Sequence, residues 1–412
     1  MRRTGLLLLL MVVTLAGGAA AQEKTPALVV AYVDDGDLWL WQEGGAARRI
    51  AERDIQQPVL APGGARVAFR RLGPEPGEEL AVLDIESGVK RVSLTADAIS
   101  TDAERRGVNQ FAWADADTLY FNTVRVLPDT LFTIETDDLW RADATTGAVT
   151  QLLAPGDGGY FAVAPDGAHI AVTRPGRYGE ADQPGTVSVF DAGGAGRVDV
   201  LSFPAVATGS EYRFYPIPSW LPDGSGFRVP IPDPEAVYGA GDAPPVALWE
   251  APVGGPARQI GAAPADYFSV VFNDAFWSPD GAHIVYTQRA GAQEANRLAL
   301  CIAASDGGDP ACHDEVAVGA YAPLGWKPDG SAFAYRIDTA EATSMWLLTA
   351  SGERQPFTGE AALDLAWVDA DTYVYIVSVD AALALKYVRS GGAPQTIATT
   401  AGWPAFSAAQ VE

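Results

Sequence analysis

Reactive side chains are scarce in this chain. Its 412 residues hold two Cys, three His and three Met, and no C-x-x-C pair or H-E-x-x-H motif occurs, which removes the common redox and zinc-protease patterns. No G-x-S-x-G elbow is present either, so a hydrolase nucleophile of that type is missing. Base is short as well, with 28 Lys+Arg against 52 Asp+Glu and a net charge of −24. Binding a phosphate backbone depends on Lys and Arg, so the balance argues against nucleic acid as a partner. No apolar run reaches the roughly 20 residues that a membrane-spanning helix needs. The run from Leu6 to Ala16 is too short, and the stretch from Ala361 to Tyr387 is broken by Asp364, Asp369, Asp371 and Asp380. What the chain has in quantity is 48% hydrophobic residues, 43 Gly and 29 Pro, the composition of a packed, turn-rich protein.

The first residues read as an address. Arg2 and Arg3 precede the apolar run, and the small residues Gly17 to Ala21 follow it, which is the order of a secretory signal cleaved after Ala21. This predicts a signal peptide over 1–21, a single domain over 22–412, and an exported protein of the periplasm, cell envelope or secreted fraction. Export permits a disulfide. Cys301 lies in the apolar run RLALCIAA and Cys312 follows the turn-like SDGGDP, so a hairpin through that turn brings the two together. A Cys301–Cys312 bridge is expected. A metal site built on Cys301, Cys312 and His313 has only three ligands, at a spacing that matches no zinc pattern.

Internal repeats set the architecture. Seven segments align: LAPGGARVAF from Leu60, WADADTLYF from Trp113, VAPDGAHIAV from Val163, WLPDGSGFRV from Trp220, WSPDGAHIVY from Trp277, WKPDGSAFAY from Trp326 and WVDADTYVY from Trp367. Each is an anchor residue, a tight turn and an apolar run. Pro presets φ for such a turn, Asp bonds its own backbone, and Gly takes the conformation that a side chain resists. A second apolar pair around a Gly-containing turn follows in most units, as in ELAVLDIESGVKRVSL from Glu79. Four strands per unit, repeated without intervening helices, predict an all-β fold, a β-propeller of four-stranded blades. The chain ends complete the count. Leu28 to Ala51 reads as the last three strands of a blade without its first, and GWPAFSA from Gly402 aligns with the first strand of other units. Eight blades result, with a C-terminal strand completing the N-terminal blade and leaving no exposed sheet edge. A monomer is expected.

The W-S-P-D-G-x-x-I-x-[YF] pattern at Trp277 to Tyr286 resembles the PD40, or WD40-like, repeat of TolB-type propellers, and the likeness extends over almost all of the chain after residue 21. The resemblance implies the propeller fold. It departs from the family at Trp113 and Trp367, where D-A-D-T replaces P-D-G, and at Gly63, which stands in place of Asp. The N-terminal domain that accompanies the propeller in TolB has no room here, so a TolB-specific role does not carry over.

Candidate sites follow from loop geometry. His169 and His283 occupy the same slot of two repeats, in DGAHI, which marks a strand position rather than a catalytic one. Asp34, Asp35 and Asp37, Asp115 and Asp117, and Asp369 and Asp371 offer oxygens to Ca²⁺, but Asp also favours such turns without an ion. No specific motif indicates Ca²⁺ or any other cofactor. Strands that run alternately up and down send the first and third turns to one face, and the second turn and the inter-blade link to the other. The longer segments converge on that second face. They carry the acids Glu135, Asp137, Asp138 and Asp233 and the aromatics Tyr178, Tyr212, Phe214, Tyr215 and Tyr238. Aromatic residues anchor protein interfaces; they also plug gaps between blades, and both readings apply to each residue. The expected function is non-enzymatic binding of a protein or peptide, with the charge favouring a basic partner. The alternative is a carbohydrate-active enzyme using paired carboxylates among Asp137, Asp138 and Glu211, or binding of a glycan or small ligand without turnover.

Overall fold

The closing strand of the ring is the last one in the chain. A computed structural model describes residues 26–72, 78–101, 104–127, 133–177, 183–208, 213–234, 244–266, 276–290, 297–317, 319–340, 342–357 and 360–411. In the first blade, strands Ala27–Asp34, Asp37–Gln42 and Arg48–Ala51 are joined by Phe406–Val411, which pairs antiparallel with the first of them from Ala27↔Val411 to Tyr32↔Phe406. Seven further antiparallel blades complete the ring, so the expected all-β, eight-bladed architecture holds. Blade 2 comprises Ile55–Leu60, Arg66–Leu72, Glu78–Asp84 and Lys90–Thr95, and blade 8 comprises Ala362–Trp367, Thr372–Val379, Ala382–Arg389 and Gln395–Thr400.

The blades that position the candidate site are the third to the fifth. Blade 3 comprises Arg106–Trp113, Thr118–Val126, a third strand in two pieces (Thr133–Glu135 and Leu139–Asp143), and Val149–Leu153. Both pieces pair with Thr118–Val126. Blade 4 comprises Tyr160–Val163, His169–Arg174, Gly185–Asp191 and Val198–Phe203, and blade 5 comprises Ser219–Trp220, Gly226–Ile231, Val246–Pro252 and Arg258–Ala263.

Both faces of each blade are covered, which explains why strands such as LVVAYV read as continuous apolar runs. Val29, Ala31 and Val33 pack toward blade 2, against Leu60, Val67 and Phe69. Their alternating neighbours Leu28, Val30 and Tyr32 pack toward blade 8, against Val374, Ile376 and Leu385. The period-2 alternation of a strand therefore sorts one apolar run onto two interfaces. Conserving that sorting needs fixed registration between blades, and the repeat residues supply it: the Trp113 and Trp220 indole N–H groups donate to the backbone carbonyls of Val59 and Ala162 in the preceding blades, each at 3.0 Å.

The turn acids do what the repeat predicts. Asp166, Asp223, Asp280 and Asp329 each accept a backbone N–H from the residue two positions on, at 2.9 to 3.0 Å. Where D-A-D-T replaces P-D-G the acid moves one position earlier and keeps the task, with Asp115 accepting from Asp117 and Asp369 from Asp371, both at 2.7 Å. Asp37 accepts the Arg53 backbone N–H at 2.9 Å. The contacts within the turns are the turn chemistry of Asp, whereas Asp37 ties two separate segments, and among the described residues no three His, Cys, Asp or Glu side chains gather as a metal site. The turn glycine has a second constraint. Gly224 sits at φ +68°, and a Cβ there would lie 2.9 Å from the Asp166 carboxylate of the preceding turn.

The same hydrogen bonds make the ring acid-sensitive. The Ser225 hydroxyl and backbone hold the Asp223 carboxyl below its ordinary value of 3.8. At Asp280, Asp329 and Asp369 burial works upward, but the hydrogen bonds outweigh it and the net shift is again downward. A carboxyl lowered in the folded state adds stability above its unfolded value, and loses it as pH falls through the folded one. The thermal midpoint is therefore expected to be level from neutral pH down to about 4, and to drop progressively below that. A midpoint that stays level well below about pH 4 would contradict this role for the turn acids.

Cys301 and Cys312 face each other in register on adjacent strands and form a disulfide, with Cα atoms 4.0 Å apart. Both thiols are thereby consumed, and His313 has no thiolate beside it. Replacing both cysteines with Ala is expected to cost about 2–3 kcal/mol from the short loop that the bridge closes. Thermal unfolding of that variant checks it, and an unchanged midpoint would show that strand pairing alone holds the hairpin.

Candidate functional site

The third strand of blade 3 is broken by three residues, Thr136 to Asp138, and the break builds the site. Asp137 adopts φ +53°, a left-handed conformation that Asp tolerates better than most side chains. The link to blade 4 wraps this kink: Gly156 and Gly158 donate backbone N–H groups to the Asp137 carbonyl at 2.9 and 2.7 Å. Only glycine fits at 158, because a Cβ there would lie 2.6 Å from the Asp138 backbone.

The kink sends two adjacent carboxylates into different surroundings. Asp138 is fully buried. It accepts the Thr123 backbone N–H at 2.8 Å, the Thr123 hydroxyl at 2.7 Å and the Trp140 indole N–H at 2.9 Å, with the Arg106 guanidinium 3.8 Å away. Asp137 turns instead toward the link between blades 4 and 5. There Arg213 donates to its carboxylate at 2.6 and 3.3 Å, and the Tyr215 hydroxyl donates at 2.8 Å. Arg213 also reaches the Glu135 carboxylate at 3.1 Å and lies over the Tyr215 ring, 5.3 Å from its centroid.

Burial sets the protonation behaviour of this group. It pushes the Asp137 carboxyl above its ordinary value, against the pull of Arg213 and Tyr215. It pushes the Tyr215 phenol far up as well, helped by the Asp137 charge, so the phenol stays a donor. Burial works to lower Arg213, but Tyr215 and Asp137 outweigh it and hold the guanidinium above its usual value. The cluster is thus a charged, hydrogen-bonded clamp that fastens the inter-blade link across blade 3. A second tie is the Thr173 hydroxyl, which is buried and donates to the Pro216 carbonyl at 2.9 Å.

Beside the clamp lies a cavity of about 260 Å³, lined by Asp137, Arg213, Arg174, Arg177, Gln183 and Thr186 among others. Arg174 ends the second strand of blade 4, and the Arg177 N–H donates to the Gln183 carbonyl at 3.0 Å, extending the hairpin past the regular strands. The stem is pinched by Gly185, where a Cβ would lie 2.2 Å from the Phe203 ring.

The expected site residues divide accordingly. Glu135, Asp137 and Tyr215 come together in the clamp. Asp138 serves the interior of blade 3. Phe214 is 3% exposed and packs edge-on against Phe203, its centroid 6.3 Å away, so it belongs to the inter-blade core. Asp233 is half-buried at the start of its loop in blade 5. Tyr178, Glu211, Tyr212 and Tyr238, and the signal peptide over 1–21, lie outside the described residues. Asp137 and Asp138, the carboxylates named for glycoside chemistry, each serve a separate set of internal donors and do not form a free pair. Sequence reasoning missed Arg213, Arg174 and Arg177. Their signal was a base set among acids and aromatics, in EYRFYPIP and RPGRYGEADQPG, in a chain with an excess of acid.

No family model matches the chain, and no curated protein matches it. Among solved structures, prolyl oligopeptidase B from Galerina marginata is 10% identical with a TM-score of 0.53, over 84% of this chain and 50% of its own. A eukaryotic initiation factor is 11% identical with a TM-score of 0.51, over 92% of this chain and 98% of its own. TolB from Acinetobacter baumannii is 14% identical with a TM-score of 0.34, over 71% of this chain and 65% of its own. At these identities the first two likenesses are ones of fold.

Proposed function

We propose that the chain is an exported, monomeric propeller of PD40-type repeats, residues 22–412 forming one domain, which binds a protein or peptide partner without chemistry. The face used is the one bearing the second-turn loops and the links of blades 3 to 5. The observation that carries this reading is the clamp of Arg213 on Asp137 and Glu135 with Tyr215 beside it. A long link on a propeller costs conformational entropy to hold, and here four polar side chains hold it against a cavity. Loops fixed on a rigid scaffold are where binding commonly resides, and Arg with Tyr is a frequent anchor pair. The net charge of −24 favours approach of a partner that is basic overall, with an on-rate that falls as salt rises.

The test is capture of partners from the envelope and secreted fractions of the producing organism by the mature protein, repeated with Tyr215→Ala and with the Tyr212→Ala, Tyr238→Ala double variant. Partners lost from these variants and kept by the parent support the face. Partners retained equally by all three proteins would sink it.

A further inference from the structure

The lining of the cavity runs against the charge of the molecule. Three guanidiniums, from Arg174, Arg177 and Arg213, meet one carboxylate there, that of Asp137, in a chain with 52 acids and 28 bases. Asp137 and Glu135 already neutralise Arg213, and Arg177 is engaged in a contact of its own. Arg174 is half-buried and makes no side-chain hydrogen bond or ion pair among the described residues; its charge helps to hold the Asp199 carboxyl down. On the same wall the Thr186 hydroxyl is shielded from solvent and has no partner among the described residues. A guanidinium with hydrogen-bonding capacity to spare therefore borders a half-open cavity, with the buried Thr186 hydroxyl behind the wall.

The geometry points to a binding site for a carboxylate presented by the partner, with the Arg174 guanidinium as its donor. This rests on the peptide-binding reading above and deepens it. A guanidinium presents a planar fork of N–H groups that matches the two oxygens of a carboxylate. The volume suits such a group with its stem, since the cavity holds about 260 Å³ where roughly 10–15 Å³ on the same measure accommodates one water. A dianionic phosphate fits the charges less well, because Asp137 stands on the wall and would repel the second charge. The site also reconciles two scales of electrostatics. The acidic exterior attracts a basic chain, and the Arg174 guanidinium receives the one anionic group that every unmodified peptide carries, its C-terminal carboxylate, or else an acidic side chain.

The two sources separate in one experiment with the mature full-length protein. Three fluorescently labelled, Gly- and Ser-based pentapeptides are titrated in: one with a free C-terminus, one amidated, and one amidated with an internal Glu. The free-terminus peptide, the Glu peptide or both are expected to bind at least tenfold more tightly than the amidated peptide without acid, and which one does identifies the source. Arg174→Gln is expected to remove that difference, and Arg174→Lys to restore part of it, at unchanged thermal midpoint. Equal binding of all three peptides by the parent, parent-like binding by Arg174→Gln, or stronger occupancy of the site by inorganic phosphate than by the carboxylates would each overturn the assignment. Failure of the wider reading looks different. Envelope partners lost with Tyr215→Ala but kept by Arg174→Gln leave peptide binding standing and remove the carboxylate site from it. Carboxylate peptides bound in an Arg174-dependent way, with no partner captured by the parent, would mark the cavity as a small-anion site.

Discussion

A chain ending at Gly402 is expected to lose the cooperative unfolding of the full ring. The strand Phe406–Val411 is held from three sides. It pairs along its length with Ala27–Tyr32, Ser407 accepts the Leu60 backbone N–H at 3.0 Å from blade 2, and Gln410 bonds Asp369 in the turn of blade 8. Gly64 of blade 2 lies against it so closely that a Cβ would sit 2.6 Å from a methyl of Val411. Removing the strand wets Leu28 to Tyr32, now buried, and opens an unpaired edge in an otherwise closed ring. Counting that area with the half-buried Phe406 and Val411, the loss is roughly 5 kcal/mol or more, out of about 5–15 kcal/mol for a whole domain. A thermal midpoint lower by about 10 °C or more, or a broadened transition, is the expected readout by circular dichroism. A synthetic 403–412 peptide added in trans should restore part of the loss. A truncated chain that melts within a degree of the parent would show that blades 1, 2 and 8 hold together through Arg389, Glu43 and their packing alone.

The fold was legible because its signals are local and repeated. A turn of Pro, Asp and Gly needs only its own residues to form, and an apolar strand buried on both faces looks the same in every blade. Even the degenerate units kept the signal, since Asp115 and Asp369 cap the same turn from one position earlier. The closure was legible for the same reason: GWPAFSA carries the pattern of a first strand with no strands after it.

The site was legible only in outline. Which face carries long segments follows from strand alternation, and the clamp does lie among those segments. What joins them does not follow. Arg213 finds Glu135 at a sequence separation of 78, and the kink that aims Asp137 at it depends on a left-handed residue at 137 and on a glycine link folded over it. Nothing periodic encodes that meeting. Aromatic content also misled at Phe214, because an aromatic beside a blade interface and one on a binding face have the same sequence context; only burial separates them. Global charge hid the Arg-lined cavity, since a sum over the chain says nothing about where the few bases gather.

Asp138→Ala should be among the most destabilising single changes in the ring, for a reason unrelated to binding. Its carboxylate satisfies the Thr123 N–H and hydroxyl and the Trp140 indole, and faces Arg106, all within the interior of blade 3. Thr123 is 1% exposed and Arg106 9%, so water cannot replace what is lost. Leaving three interior donors without an acceptor, while Arg106 keeps its bond to Glu104 at 3.1 Å, costs about 3–5 kcal/mol, which denaturant unfolding at neutral pH would register as a large drop in midpoint with little change in slope. Asp138→Asn should fall between, because one oxygen still accepts while the new amide N–H₂ is turned on donors. The neighbouring change is the control. Asp137→Asn keeps an acceptor for Arg213 and Tyr215 and removes a charge that burial already disfavours, so a loss nearer 1 kcal/mol is expected. Its larger effect should fall on carboxylate-peptide binding, where the wall of the cavity has lost its negative charge. If Asp137→Asn instead unfolds the protein as readily as Asp138→Ala, the two residues share one structural task, and the clamp is part of the core rather than the frame of a binding site.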